Sequence, residues 1–403
     1  MLFLSTRIKS TITTTTTTFA LLFMFILGLS FLTLISIGNY NSGDYHSITI
    51  ISSVYARPQV AAGGPTLNDP NLIVETVYQG LNLPTSMPFL GPDDILVLEK
   101  SQGTVQRIVN GKMLPEPLLQ VDVNSKDERG LLGIATASNP KVDEEKQNKD
   151  GDGTITTTTG TITTTTNDES SSSSSHSPTY VFLFFTEAEK STSSTSKDVT
   201  SVGNRVYKYE LVDNTKLANP TLLLDLSATT DDSHIGGALQ IGHDNNLYIT
   251  LGDQRPTAFA RTDDPDSQTK AQNYMDGKEP DGRAGILRII QDGERVGGDE
   301  GGIFGNEHPL DKYYAYGIKN RFGIDFDPLT GNPWDTENGP TFGDEINLVE
   351  PGFNGGWSKI QGFWTLDDEY KKLDEVVTPI TDSEDYGLVD FDRRGKYSSP
   401  EFV

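Results

Sequence analysis

Residues 316–357 read YGIKNRFGIDFDPLTGNPWDTENGPTFGDEINLVEPGFNGGW, and this stretch carries the pattern that decides the fold. An apolar run at 323–326 is followed by the turn sequence DPLTG and by a second run at 332–337. Short runs joined by Asp, Pro and Gly predict the paired strands of a hairpin. A basic pair, a Gly-Pro turn and a carboxylate cluster lie in the same stretch, which therefore bears on function as well.

Similar strand-turn-strand units recur at 87–100 and 238–251, and a further strand is predicted at 104–109. Strong helical periodicity is absent between them. The 403 residues include 39 Gly and 21 Pro, which suits many short strands and tight turns. Diverged repeats of short hairpins predict an all-β fold built from propeller blades.

Composition excludes several classes of function. The chain has no cysteine, so it forms no disulfide, thiolate metal site or cysteine nucleophile. Its formal net charge of −25 argues against nucleic acid as a partner and against docking on anionic lipid.

The N-terminal residues predict export. Arg7 and Lys9 precede a Thr run, and residues 19–37 are uncharged and mostly apolar, near the length of a membrane span. The positive-inside rule then makes residues 1–18 a cytoplasmic tail and places the rest outside the cell, anchored to the membrane. The alternative is a cleaved signal peptide ending near Ala56, which would give a secreted protein.

A polar linker is predicted at 38–70 and the globular domain at 71–403. Ser- and Thr-rich insertions at 141–177 and 190–197 interrupt this domain, and the strand predicted at 180–186 lies between them.

The first insertion contains a sequence that begins like an EF-hand calcium loop. Asn148, Asp150 and Asp152 stand at ligand positions, but Thr159 stands where a bidentate Glu is required. A solvated acidic loop is the favoured interpretation.

His234 is the candidate general base. It precedes Gly236 and Gly237, which let the backbone pass close to a neighbouring group. A neutral imidazole can accept a proton from an alcohol at neutral pH. The alternative is a histidine that fills a polar site in the propeller channel.

Two further motifs suggest binding chemistry. Lys319, Asn320 and Arg321 form a clamp suited to a planar ligand that carries carboxylates, although a solvated turn would look the same. Residues 337–340 and 343–347 combine a Gly-Pro turn with carboxylates, the oxygen ligands that calcium prefers. An acidic hairpin loop is the alternative here.

The order of these motifs resembles the glucose/sorbosone dehydrogenase family over about residues 70–403, apart from the insertions. The resemblance implies a six-bladed β-propeller that uses pyrroloquinoline quinone (PQQ) and calcium, with about four blades present in this chain. The matching segments are 127–135, 233–253, 282–288, 316–320 and 344–347.

The resemblance also implies roles for individual residues. His234 matches the catalytic base, and Glu128 falls where soluble members place a substrate-contacting glutamine. Calcium is expected at the carbonyls of Gly339 and Pro340, and a second, structural calcium at Glu345. The expected PQQ contacts are Lys319, Asn320 and Arg321.

The chain also departs from the family. Ser233 stands where an aspartate often precedes the histidine, which leaves the orientation of the imidazole less assured. Lys319 replaces the usual arginine, and Arg321 and Phe322 replace a Pro-Gln pair that forms part of the cofactor wall. Residues 399–403 fall before the family's last blades, so we expect a C-terminally truncated propeller that binds PQQ weakly or not at all.

The expected function is an exported oxidation of an aldose or related sugar alcohol, with electrons passing to an acceptor that the sequence does not identify. A non-catalytic extracellular binding propeller is the first alternative, since fold alone does not settle function. A calcium-dependent lactonase-type propeller, with acidic ligands around a central metal, is the second.

Overall fold

The computed structural model shows an all-β fold, as predicted. Chain contacts separate residues 1–77 from a second unit at 78–403, which holds all the strands described below. The described residues are 68–69, 71–138, 179–189, 200–228, 233–254, 268–298, 301–340, 342–366, 377–379 and 386–403.

Several predicted segments lie outside these ranges. They include the tail at 1–18, the apolar segment at 19–37, nearly all of the linker, both insertions and the EF-hand-like loop. Within the described part of the chain, no helix is both long and apolar enough to cross a membrane.

The first two sheets are antiparallel and follow each other along the chain. In the first, strands pair in the order β1-β2-β3-β4, and β5 also pairs with β3; in the second the order is β6-β7-β8-β9. The strands are β1 (Phe89–Gly91), β2 (Asp94–Glu99), β3 (Thr104–Val109), β4 (Lys112–Met113), β5 (Leu119–Gln120), β6 (Leu131–Ser138), β7 (Thr179–Ala188), β8 (Ser201–Val212) and β9 (Lys216–Leu226).

The third sheet has six strands and two parallel pairings at one edge. Its strands are β10 (Gly236–Ile241), β11 (Leu247–Leu251), β12 (Gly285–Ile289), β13 (Tyr313–Tyr316), β17 (Phe353–Asn354) and β21 (Lys396–Tyr397), in that spatial order. The pairings β13-β17 and β17-β21 are parallel. The hairpin predicted at 238–251 is confirmed as β10-β11.

Two three-stranded antiparallel sheets complete the described fold. The hairpin predicted at 323–337 is confirmed as the first two strands of one of them. These sheets comprise β14 (Arg321–Phe326), β15 (Pro333–Glu337) and β16 (Glu345–Leu348), and β18 (Ile360–Gln361), β19 (Trp364–Leu366) and β20 (Val377–Pro379). Short 3-10 turns lie at Lys270–Gln272 and Leu310–Lys312.

The second sheet is covered on both faces because side chains alternate along β7. Phe182 and Phe184 pack into a core shared with β10 and β11. Leu183 and Phe185 pack into a separate core shared with β2 and β3. A strand buried on both faces explains the continuous apolar run seen in the sequence.

Two glycines allow β6 to approach the start of β10, where His234 lies. A Cβ atom on Gly133 would stand 2.0 Å from the carbonyl oxygen of Gly237. A Cβ on Gly237 would stand 2.7 Å from a ring carbon of Phe184. The core therefore sets the position of the segment that carries the candidate base.

Gly133→Ala is expected to destabilise the domain by about 1–3 kcal/mol, because an added methyl group in a packed core forces the backbone to shift. Urea denaturation measures the change. Gly91→Ala is the matched control, since the nearest atom to its added Cβ is the Cβ of Asp94 at 3.9 Å. Equal urea denaturation midpoints for Gly133→Ala and Gly91→Ala would contradict the close approach of β6 and β10.

Candidate active site

His234 lies in a tight turn immediately before β10. Its φ of 56° is in the left-handed region, and the φ of Gly236 is 69°. The turn is held against the end of β11, where the amide of Gln254 donates to the carbonyl of His234 at 3.3 Å. Gly252 is required there, because a Cβ on it would stand 2.1 Å from that carbonyl oxygen.

A buried carboxylate orients the imidazole. Nδ1 of His234 lies 2.7 Å from Oδ1 of Asp253, whose side chain is fully buried. The indole N–H of Trp357 donates to the other carboxylate oxygen at 2.8 Å. A carboxylate accepts hydrogen bonds, so it places the proton of a neutral imidazole on Nδ1 and leaves Nε2 as the acceptor.

The structure brings Lys319 to the other side of the imidazole. Its Nζ lies 3.3 Å from Nε2 of His234, and the residue is only 3% exposed. Burial lowers the pKa of Lys319, and the nearby carboxylates of Asp253 and Glu337 oppose this shift. The segment is fixed by its backbone, since the amide of Asp253 donates to the carbonyl of Lys319 at 2.8 Å.

Asn320 and Glu128 join the same site. One Glu128 oxygen accepts from Nδ2 of Asn320 at 3.2 Å and from the amide of Ile235 at 3.3 Å. The Oδ1 atom of Asn320 is buried and has no hydrogen-bond partner among the described residues. A buried acceptor in this state is suited to an N–H or O–H donor of a ligand.

The structure does not bring Arg321 to His234. Arg321 is fully buried, and its guanidinium is paired with Asp335 and Glu337. A guanidinium committed to two buried carboxylates is not available to a bound anion. Of the three expected PQQ contacts, Lys319 and Asn320 therefore remain at the site.

The expected calcium ligands follow the end of β15, next to Asn320. The amide of Asn338 donates to the carbonyl of Asn320 at 2.9 Å, and the amide of Gly339 donates to Asp344 at 2.9 Å. Pro340 is the next residue and is half-buried. Across the described ranges, no three His, Cys, Asp or Glu side chains cluster in a way that could hold a metal.

Glu345 on β16 is held by nitrogen donors. The side chain of Gln361 and the amide of Gly362 both donate to Oε1, at 2.8 and 2.6 Å, and Asn347 donates to Oε2 at 3.2 Å. Burial, reinforced by repulsion from Glu337, raises the pKa of Glu345 to about 8.

Glu345→Gln is expected to flatten the pH dependence of stability in calcium-free buffer. The pKa of Glu345 is near its usual value of 4.5 in the unfolded chain and about 8 in the folded chain. The wild type therefore loses stability as pH rises through this window. The variant lacks this titration. Urea denaturation midpoints of both proteins at pH 5 and pH 8 measure this difference. An equal change of midpoint with pH in the two proteins would contradict the raised pKa of Glu345.

Sequence patterns missed Asp253 and Trp357, and they assigned Glu337 only to a carboxylate cluster suited to calcium. Asp253 binds the imidazole, Trp357 donates to the second oxygen of Asp253, and Glu337 fixes the backbone of Lys319 by accepting from its amide at 2.5 Å. The available signal for Asp253 was a carboxylate placed just after a fully buried strand. No local pattern indicates that Trp357 faces Asp253, because their hydrogen bond spans 104 positions.

Fold and site together define an all-β protein with a buried histidine-carboxylate pair beside a lysine. The chain belongs to the Glucose / Sorbosone dehydrogenase family, whose sequence profile matches residues 166–386.

The chain is similar to curated members of known name. It is 32% identical over 178 residues to quinoprotein glucose dehydrogenase B of Acinetobacter calcoaceticus, covering 43% of this chain and 36% of that protein. It is 30% identical over 139 residues to the aldose sugar dehydrogenase YliI of Escherichia coli, covering 34% and 32%. The matched segments thus span about a third of each of these relatives.

Among solved structures, the chain is similar to the PQQ-bound aldose sugar dehydrogenase of Streptomyces coelicolor. The TM-score is 0.47 at 23% identity, covering 72% of this chain and 66% of that one.

Proposed function

We propose that this chain is a PQQ-dependent oxidoreductase that oxidises an aldose or a related sugar alcohol. The observation that carries the proposal is the buried His234, whose Nδ1 is bound by Asp253 and whose Nε2 lies beside Lys319. Family membership and the names of the two bacterial dehydrogenases support this choice of reaction.

The proposed role of His234 is to accept, at Nε2, the proton of a sugar hydroxyl while the carbon that bears this hydroxyl loses a hydride. Asp253 keeps the opposite nitrogen protonated and stabilises the imidazolium that forms, as a buried carboxylate does beside a catalytic histidine. Glu128, through its contacts with Ile235 and Asn320, stands where a sugar hydroxyl can donate to it.

The residues around His234 fit a planar cofactor that carries carboxylates. Lys319 supplies a cation for a carboxylate, and the unpartnered Oδ1 of Asn320 supplies an acceptor for a ring N–H. PQQ, when bound, supplies the hydride acceptor, and the protein supplies position and charge.

Calcium is proposed at the carbonyls of Gly339 and Pro340. Asp344, which accepts from the amide of Gly339, adds negative charge to this turn. Oxygen ligands of this kind suit a hard cation, which would polarise a neighbouring carbonyl group. A structural calcium at Glu345 is a separate proposal, which calcium titration of Glu345→Ala would test through the loss of thermal stabilisation.

The proposed architecture is a six-bladed propeller with about four blades in this chain, supported by the stacking of the second sheet between the first and third. Export, with a membrane anchor or a cleaved leader at 19–37, is proposed from the sequence alone.

The test is dye reduction by the purified chain with PQQ and calcium and a panel of aldoses, together with a PQQ titration. We expect weak PQQ binding, and at saturating PQQ at least one aldose should drive dye reduction. PQQ binding without turnover of any aldose would favour the non-catalytic binding propeller. Failure of PQQ to bind would overturn the proposed cofactor.

A further inference from the structure

Lys319 contacts the one atom that the proposed reaction requires to be free. Asp253 occupies Nδ1 of His234, so a neutral imidazole keeps its lone pair on Nε2. That lone pair accepts one hydrogen bond, and Nζ of Lys319 stands 3.3 Å from it. An ammonium group has only donors, so the contact is a hydrogen bond from Lys319 to His234.

The rest of Lys319 is fixed, which leaves the ammonium as its adjustable part. The backbone amide of Lys319 donates to Glu337 at 2.5 Å, and its carbonyl accepts from the amide of Asp253 at 2.8 Å. Within the described structure, His234 is the hydrogen-bond partner shown for Nζ. An ammonium keeps two further N–H donors, from which a ligand carboxylate can accept hydrogen bonds.

Four carboxylates act on the ammonium from the surrounding elements. Asp253 follows β11, Glu337 ends β15, Glu128 lies before β6, and Asp344 precedes β16. Burial lowers the pKa of Lys319, while these four carboxylates raise it. The hydrogen bond of Nζ within the described part of the chain is the one to Nε2 of His234.

We propose that Lys319 caps the base nitrogen of His234 in the ligand-free protein, and that a carboxylate-bearing ligand uncaps the base by taking the ammonium. The inference rests on the proposed role of His234 and adds a regulation of that same site. No proton is transferred in the capping step, because one hydrogen bond is exchanged for another. Availability of the base is thereby coupled to occupation of the cofactor site.

Nitrogen-15 NMR of labelled histidine in the full chain tests the cap without any turnover. Only five histidines are present, and His234→Ala assigns the signal of His234. Lys319→Met is expected to move the Nε2 signal toward that of an imidazole nitrogen without a hydrogen bond. Adding PQQ and calcium to the wild type is expected to move it in the same direction, and the variant should lack this change.

The control variant is Lys312→Met. The side chain of Lys312 is also shielded, at 11% exposed, but it pairs with Asp311, so this variant should leave the His234 signal unchanged. Lys319→Leu, whose side chain has no hydrogen-bond donor, provides a second test if Lys319→Met unfolds, and urea denaturation confirms the fold of each variant.

The outcomes separate the two proposals. An Nε2 signal that is the same in wild type and Lys319 variants overturns the cap, whatever PQQ does. PQQ that binds in a titration but leaves the wild-type Nε2 signal in place overturns the uncapping step, while the proposed cofactor stands. PQQ that does not bind overturns the proposed function and the uncapping step, while the ligand-free comparison still decides the cap.

Discussion

His234→Ala is expected to lower kcat of the protein loaded with PQQ and calcium by about 10²- to 10⁴-fold, the usual cost of losing a general base. PQQ affinity should be retained or increased, because the proposed cofactor contacts are Lys319 and Asn320 and the variant removes the hydrogen bond from Lys319 to His234 that competes with them. Steady-state dye reduction and a PQQ titration on the same sample measure the two effects. Near-normal turnover with PQQ bound would remove His234 from the proposed mechanism.

Two variants serve as controls for this result. His243 is an exposed histidine in the turn between β10 and β11, and its ring stacks on Phe326 of β14. His243→Ala should leave kcat unchanged. Asp253→Asn should lower kcat while retaining the histidine, because an amide no longer fixes the imidazole as a carboxylate does. Together they separate loss of the base from general damage to the fold.

Arg321→Met is expected to have the largest effect on stability, a loss of about 3–5 kcal/mol. Arg321 is fully buried between Asp335 and Glu337, and Glu345 lies near enough to interact with its charge. Removing the guanidinium leaves buried carboxylates without a cation, which costs far more than the lost hydrogen bonds. Urea denaturation at pH 7 measures the change.

Arg205→Met is the matched control. Arg205 also pairs with two carboxylates, Asp225 and Glu187, but Asp225 is 52% exposed, so we expect a loss of about 1 kcal/mol or less. The deficit of Arg321→Met should shrink as pH falls toward 5, because burial raises the pKa of Glu337 and protonation removes its unpaired charge. A deficit equal to that of Arg205→Met, or independent of pH, would contradict a buried charge cluster at Arg321.

The hairpins of the fold were predictable from the sequence because their information is local. The turn residues between β10 and β11, and between β14 and β15, stop one apolar run and begin the next within a few positions. The apolar run of β7 likewise marked a buried strand. Strand order across the third sheet was not predictable, because the parallel pairings of β17 depend on distant segments.

The site was predictable only in part. His234, Lys319 and Asn320 were identified by motif, and the structure places them together, with Glu128 beside them. Arg321 belongs to the same motif but lies in the core, since its side chain is the cation that Asp335 and Glu337 require. Lys319 and Asn320 precede β14, whereas Arg321 is its first residue and its side chain is buried in the core, so a motif of consecutive residues does not show which of them line a site.

The sequence by itself determined that this protein is all-β, that it belongs to a family of sugar dehydrogenases, and which histidine is the candidate base. These conclusions rest on residue types and short spacings, which are fixed within each segment. Only the tertiary structure decided that Asp253 orients His234, that Lys319 contacts its free nitrogen, and that Arg321 is a structural cation. Each of these facts is a contact between residues far apart in the chain, and such contacts exist only once the sheets have packed.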